Sequence, residues 1–125
     1  KIRVVFKQFP LRNHKAARPA ALASLAARNQ GKFWELHDLL FANSRQLNDK
    51  KIRELAEQAG LDMARYEKDL GSPALQQELL ADMRLAQSAG VRGTPTVFVN
   101  GIRTRSNLPD MKSQVEAQLK KHAPE

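Results

Sequence analysis

No cysteine occurs among the 125 residues of this chain. That excludes a disulfide framework and any thiolate-ligated zinc site. No apolar run approaches the roughly 20 residues that cross a bilayer, so no membrane span is expected, and no signal-peptide pattern is visible. Motifs of hydrolytic and nucleotide chemistry are missing as well. There is no Gly-x-Ser-x-Gly, no phosphate-cradling glycine loop, and no carboxylate pair in a loop that reads as a cleft. Histidine is sparse: His14, His37 and His122 are the only three, none at i, i+4 to another, and no His-Glu-x-x-His occurs. Neither a metal site nor a metal cofactor is therefore expected.

Acidic residues are missing from one end. Before Glu35 there are eight basic residues (Lys1, Arg3, Lys7, Arg12, Lys15, Arg18, Arg28 and Lys32) and no acid. From Glu35 onward 13 basic and 13 acidic residues cancel, so the whole formal charge of +8 sits in the first 34 positions. A basic end suits nucleic acid or anionic lipid. The plainer alternative is a charged segment separated from an acidic neighbour. Binding to nucleic acid through such an end is expected to be non-specific and to collapse as salt rises, because it is phosphate neutralisation. The sequence opens on Lys1 rather than Met, and so reads as a piece cleaved or excised from a longer polypeptide.

What is present suffices for a single domain with a real core: 42% of residues are hydrophobic. Ile2, Val4 and Phe6 alternate with Arg3, Val5 and Lys7, which predicts a short strand ended by Phe9-Pro10-Leu11. Residues 15–29 are rich in Ala and predict a helix, closed by Gly31. Residues 33–41 predict a second helix with Phe33, Leu36, Leu40 and Phe41 on one face. The Phe33-Trp34 pair is expected to be core. Asn48 or Asp49 caps a third helix that Gly60 stops, and Asp62 caps a fourth through Leu70. Ser72 and Pro73 form an N-cap and N1 proline for a fifth, which Gly90 ends. Thr96 to Val99 reads as a strand, Asn100-Gly101 as a type I′ turn, and Ile102 to Thr104 as the return strand. A last helix opens at Pro109, with Met111, Val115 and Leu119 on one face.

The segment Ile52 to Leu70 mimics a helix-turn-helix, with Ala56 four residues before Gly60. Its second helix does not fit the role. Tyr66 and Asp69 stand where small aliphatic residues usually pack, and Glu67 and Asp69 offset Arg65 and Lys68 against phosphate.

Several stretches resemble one family. They are Val4-Val5-Phe6-Lys7-Gln8-Phe9-Pro10-Leu11 with His14 following, Gln30-Gly31-Lys32-Phe33-Trp34-Glu35-Leu36-His37-Asp38-Leu39-Leu40-Phe41, Gly60-Leu61-Asp62-Met63, and Gly90 through Thr94-Pro95-Thr96 to Gly101. In this order and spacing the chain is similar to the DsbA-like branch of the thioredoxin superfamily from about Val4 to Leu119. The resemblance implies an α/β, thioredoxin-like fold, truncated at the N-terminus, in one domain over 1–125 with a helical insertion at about 31–88. It also implies thiol–disulfide exchange on protein or peptide substrates, outside the cytoplasm.

In that family a strand and an active-site helix bearing Cys-x-x-Cys precede the strand matching Val4–Lys7. The helix N-terminus lowers the thiol pKa. This chain lacks that unit, and where some relatives carry a second cysteine pair it has Ala26 and Asp69. No catalytic residue is assigned, and the chain by itself is expected to be redox-inert. What the resemblance carries over is the proline loop. Pro95 is expected to be cis, and Gly93, Thr94 and Pro95 to form the substrate-binding segment, with Thr94 pairing its backbone to an extended peptide. His14 is expected to order its loop, and His37 to sit on a helix surface or partly buried. No cofactor is implied. Two other functions stay open: a non-catalytic peptide-binding module using the same groove, and a basic nucleic-acid binder. The missing strand would lie between those matching Val4–Lys7 and Thr96–Val99. The isolated chain is therefore expected to close that slot in one of three ways. The two strands could pair directly, a second copy could form a homodimer, or the missing N-terminal segment could be retained.

Overall fold

The computed structural model describes residues 1–105 and 107–121; His122 lies outside the described residues. Among the described residues, six helices and a two-stranded hairpin follow one another: α1 (Ala17–Asn29), α2 (Phe33–Ala42), α3 (Asp49–Gln58), α4 (Met63–Leu70), α5 (Pro73–Ser88), β1 (Phe98–Val99), β2 (Ile102–Arg103) and α6 (Leu108–Lys121). The architecture is helix-rich, with a small two-stranded sheet.

Helix α1 is the centre of the helical block. Its Ala23, Ala26 and Ala27 are fully buried, and α2, α3, α4 and α5 all pack on it. Alanine suits both demands made of this helix. It has the best helix propensity, and its single methyl lets four neighbours approach one axis closely. Larger side chains come from around it: Leu36 and Leu40 from α2, Ile52 and Leu55 from α3, Tyr66 from α4, and Leu75 and Leu79 from α5.

The helix ends follow local chemistry. Asn48 Oδ1 accepts from the Lys51 amide at 2.8 Å, Asp62 Oδ1 from the Arg65 amide at 3.2 Å, and Ser72 Oγ from the Ala74 amide at 3.2 Å. Each satisfies a donor that has no partner within its helix. At the other end α3 closes on Gly60, whose φ of +83° only glycine adopts at no cost. The Gly60 amide bonds Glu57 O and the Leu61 amide bonds Ala56 O, a Schellman pairing that turns Leu61 into the core. A side-chain clasp joins α1 to the start of α4: Gln30 accepts from the Asp62 amide at 2.8 Å and donates to the Asp62 carbonyl at 3.1 Å.

Several expectations are corrected. Residues 2–7 form no strand, because a strand needs a partner ladder and none lies beside them. The hairpin is shorter than expected, Phe98–Val99 against Ile102–Arg103, although the Thr104 amide extends the pairing to Val97 O at 2.9 Å. Its turn carries positive φ at both Asn100 and Gly101, as a type I′ turn requires. Phe41 is 67% exposed rather than core; of the α2 stripe only Leu36 and Leu40 are buried. Trp34 is about half exposed, one turn position away from that stripe. Helix α6 buries none of its residues, so Met111, Val115 and Leu119 form a face without a full covering layer.

Burial raises the Tyr66 phenol above its ordinary value near 10, with the Arg53 charge pulling weakly the other way. The folded state therefore holds the neutral phenol more tightly than the unfolded chain does. That contribution is complete below the unfolded value and is lost as pH rises toward and through the raised folded one. Urea midpoints should fall between pH 7 and about pH 11, and Tyr66→Phe should show the smaller fall. Tyr66 is the only tyrosine, so absorbance titration reports it directly. Equal pH slopes for the two proteins would refute the assignment.

Candidate functional site

The loop from Gly90 to Val97 joins α5 to the hairpin. The Thr96 hydroxyl donates to Gly93 O at 2.7 Å and closes the loop on itself. Arg103 Nη1 donates to Gly90 O at 3.3 Å and ties its entry to β2. Within the loop the Thr94–Pro95 peptide is cis. Thr94 and Pro95 are exposed and Gly93 is half-buried. The three residues singled out from the sequence thus stand together at the surface.

Thr94 also borders a cleft of about 290 Å³ whose other walls include Phe6, Phe9, Ala21, Leu40 and Phe41. The lining is mainly apolar, with Lys7, Gln8, Ser24, His37, Ser44 and Thr94 as the polar exceptions. Such a cleft can take an apolar side chain, while the backbone of the neighbouring loop stays available for pairing. The N-terminal segment is held at this cleft by Asp82 of α5. Its carboxylate accepts from the Gln8 amide at 2.9 Å and meets Lys7 Nζ at 3.5 Å.

Beside the cleft lies a cluster that the sequence reading did not assemble. The His37 ring is surrounded by Phe6 at 5.4 Å, Phe33 at 5.8 Å, Trp34 at 5.0 Å and Phe41 at 4.7 Å between centroids. Phe6 and Trp34 meet the imidazole close to edge-on, the favoured arrangement for aromatic pairs. His37 Nδ1 lies 3.0 Å from Asp38 Oδ1. Phe33, His37 and Phe41 recur at i, i+4 and i+8, and that spacing was the available signal. The contribution of Phe6 is long-range and has none. His14 is exposed and acts through its backbone: its amide bonds Leu11 O and its carbonyl accepts from the Ala17 amide. Among the described residues no group of three or more His, Cys, Asp or Glu is arranged to hold a metal ion.

Three of the eight basic residues before Glu35 find partners on α5. Lys7 pairs with Asp82, Arg28 with Glu78, and Arg18 donates to the Gln76 side chain. The segment that mimics a helix-turn-helix is closed in on itself. Tyr66 is buried against α1, Arg53 pairs with Glu67, and Arg65 donates to Asn29 O at 2.8 Å.

Comparison with known proteins agrees with this geometry. The family model for a DSBA-like thioredoxin domain matches residues 1–118. A solved structure, a thioredoxin-like oxidoreductase from Silicibacter pomeroyi, superposes with a TM-score of 0.77 at 26% identity, over 91% of this chain and 66% of that one. A protein named Na(+)/H(+) antiporter NhaA 3, from Salinispora tropica, is 39% identical over 103 residues, 82% of this chain. This chain spans only 16% of that relative's length. A probable disulfide bond formation protein D from Bacillus cereus is 25% identical over 129 residues, covering 97% of this chain and 60% of that protein. Among the described residues no helix is long and apolar enough to cross a membrane.

Proposed function

Since the chain belongs to the DSBA-like thioredoxin domain family, we propose that it is the substrate-facing portion of a thiol–disulfide oxidoreductase acting on proteins outside the cytoplasm. The observation that carries this reading is the exposed Gly93-Thr94-Pro95 loop at the edge of an apolar cleft. Thr94 offers one N–H and one C=O to an extended peptide. Pro95 has no N–H of its own to compete for the same acceptors. The apolar cleft takes a neighbouring side chain of the substrate.

The redox step needs a thiolate that attacks a disulfide sulfur, displaces the second sulfur as a thiolate, and leaves a mixed disulfide. No residue of this chain supplies it, so the cysteines come from a Cys-x-x-Cys segment outside residues 1–125. In that arrangement Pro95 faces the reactive sulfurs. The antiporter name is not carried over. The matched residues are the ones that carry the DSBA-like domain, and they are a minor part of that relative.

A second reading has one observation in its favour, the complete absence of thiols. On that reading the loop and cleft bind extended peptides without chemistry. Reading about 40 codons upstream of Lys1, enough for one strand–helix unit, separates the two. A Cys-x-x-Cys there is expected; its absence would favour the binding module.

Peptide capture itself is tested by NMR titration with an extended octapeptide carrying Ser in place of its central Cys. The Thr94 amide should shift, and N-methylation of alternate peptide amides should weaken binding at least about tenfold by removing ladder hydrogen bonds. Shifts confined to other surfaces, or an unchanged affinity for the methylated peptide, would overturn the assignment of Gly93, Thr94 and Pro95.

A further inference from the structure

Acidic residues avoid the segments that build the loop and the cleft. All 13 of them lie in residues 35–82 and 110–125. Residues 1–34 and 83–109 carry twelve basic residues and no acidic one. The first acid-free segment supplies Phe6 to Pro10 and the α1 side of the cleft, and the second supplies the Gly93-Thr94-Pro95 loop.

The ion pairs divide in the same way. In the helical block Arg28 meets Glu78, Lys51 meets Glu54, Arg53 meets Glu67 and Arg65 meets Asp69. Three arginines at the borders of the site have no such partner. Arg92 stands two residues before Thr94, Arg12 two residues after Pro10, and Arg45 directly after Ser44; Thr94, Pro10 and Ser44 all line the cleft. All three arginines are exposed, and among the described residues none forms an ion pair. Arg103 Nη1 donates to Gly90 O, a neutral acceptor, so that contact leaves its charge uncompensated. No Asp or Glu lines the cleft. Asp82 and Asp38, which touch lining residues, are engaged: Asp82 by the Gln8 amide and Lys7, Asp38 by His37 Nδ1.

We propose that the ligand of the Thr94 loop is an acidic peptide, an extended segment with Asp or Glu about two residues from the position opposite Thr94. The inference rests on the peptide-binding reading of Gly93, Thr94 and Pro95 and adds the chemistry of what is bound. A guanidinium fork meets a carboxylate through two parallel N–H···O bonds. Exposed cations of one sign around a cleft speed the encounter with an oppositely charged ligand and oppose a like-charged one. Backbone pairing at Thr94 is indifferent to sequence, and the cleft selects only for an apolar side chain. The arginines supply the remaining discrimination. A polypeptide is favoured over nucleic acid because only the polypeptide brings backbone amides for the loop and an apolar side chain for the cleft.

Three octapeptides test this, each with a central Ser and with Glu, Gln or Lys two residues to either side of it. Titrated into the 125-residue chain at low salt and followed at the Thr94 amide, the Glu peptide should bind about five- to tenfold tighter than the Gln peptide, the size expected of two exposed ion pairs. The Lys peptide should bind more weakly than both. The preference should fade at about 0.5 M salt. Arg92→Glu should lower the Glu-over-Gln ratio at least about threefold and improve binding of the Lys peptide. Lys68→Glu makes the same charge change on α4, at an exposed residue that lines no part of the cleft, and should leave the ratio in place. Equal loss of preference in the two variants would mean that net charge alone is read, and would overturn the proposal. Equal affinity for the Glu and Gln peptides, with the Thr94 amide shifting in both titrations, would overturn it too and leave the peptide site standing. If no peptide moves that amide, the site reading fails and this inference fails with it. A single-stranded oligonucleotide of equal charge that displaces the Glu peptide at lower concentration would assign the arginines to nucleic acid instead.

Discussion

Mixed with insulin and dithiothreitol, the 125-residue chain should precipitate the insulin B chain no faster than dithiothreitol alone. The expected effect is complete because the missing component has no substitute. Exchange proceeds through attack by a thiolate, and neither hydroxyl nor imidazole groups replace sulfur in a mixed disulfide. On the proposed function, this region contributes the exposed Thr94-Pro95 loop and the apolar cleft beside it. That makes the assay informative in both directions. A rate above background from this chain would mean that the loop and cleft act by chemistry other than thiol exchange. Activity that appears only when a Cys-x-x-Cys strand–helix segment is joined upstream would place the sulfur chemistry there and the substrate contacts here.

Leu36→Ala should lower stability by about 2–5 kcal/mol, with a fall in melting temperature of roughly 10–20 °C. Leu36 has no exposed surface. It sits on α2 where that helix meets α1. Four of the buried residues of α1, Ala21, Ala23, Ala26 and Ala27, carry only a methyl, so that helix has little side chain to swing in and fill the space. Poor collapse places the cost toward the upper part of the usual range for such a truncation. Phe41→Ala, on the same helix but 67% exposed, should cost much less. Urea denaturation of both variants checks the contrast. Equal losses would mean that the aromatic cluster around His37, and not the α1–α2 contact, holds α2 in place.

The helical half of the fold was legible in the sequence because its signals are local. Asn48, Asp62 and Ser72 cap the helices they precede. Gly31, Gly60 and Gly90 end helices at the residues where φ turns positive. The segment Ile2–Lys7 has every local property of a strand, yet forms none. Strand structure is a property of a pair, and no partner lies beside it. The same limit explains Met111, Val115 and Leu119, whose spacing gives a helix face but not the layer that would cover it. The site divides along this line too. Gly93, Thr94 and Pro95 are contiguous and could be read from their motif. The cleft could not, since it needs Phe6, Leu40 and Thr94 brought together from three separate parts of the chain. Asp82, which fixes Gln8 and Lys7 from 74 and 75 positions away, left no trace in the pattern.

The distribution of buried residues has a consequence for motion. Every hydrophobic side chain that is fully removed from water lies between Ala21 and Leu79, and beyond Leu79 only Thr104 among the described residues joins them. Amide exchange should accordingly divide the molecule into two tiers. Amides in the middle of α1, α2 and α3 should open only when the whole chain unfolds. Those of β1, β2 and α6 should exchange through a cheaper local opening that leaves the helical block intact. The proline loop sits at the boundary of the two tiers. Its entry follows α5, whose Leu75 and Leu79 belong to the core, and its exit leads into the fast-exchanging hairpin, so a peptide captured at Thr94 should slow exchange on the hairpin side.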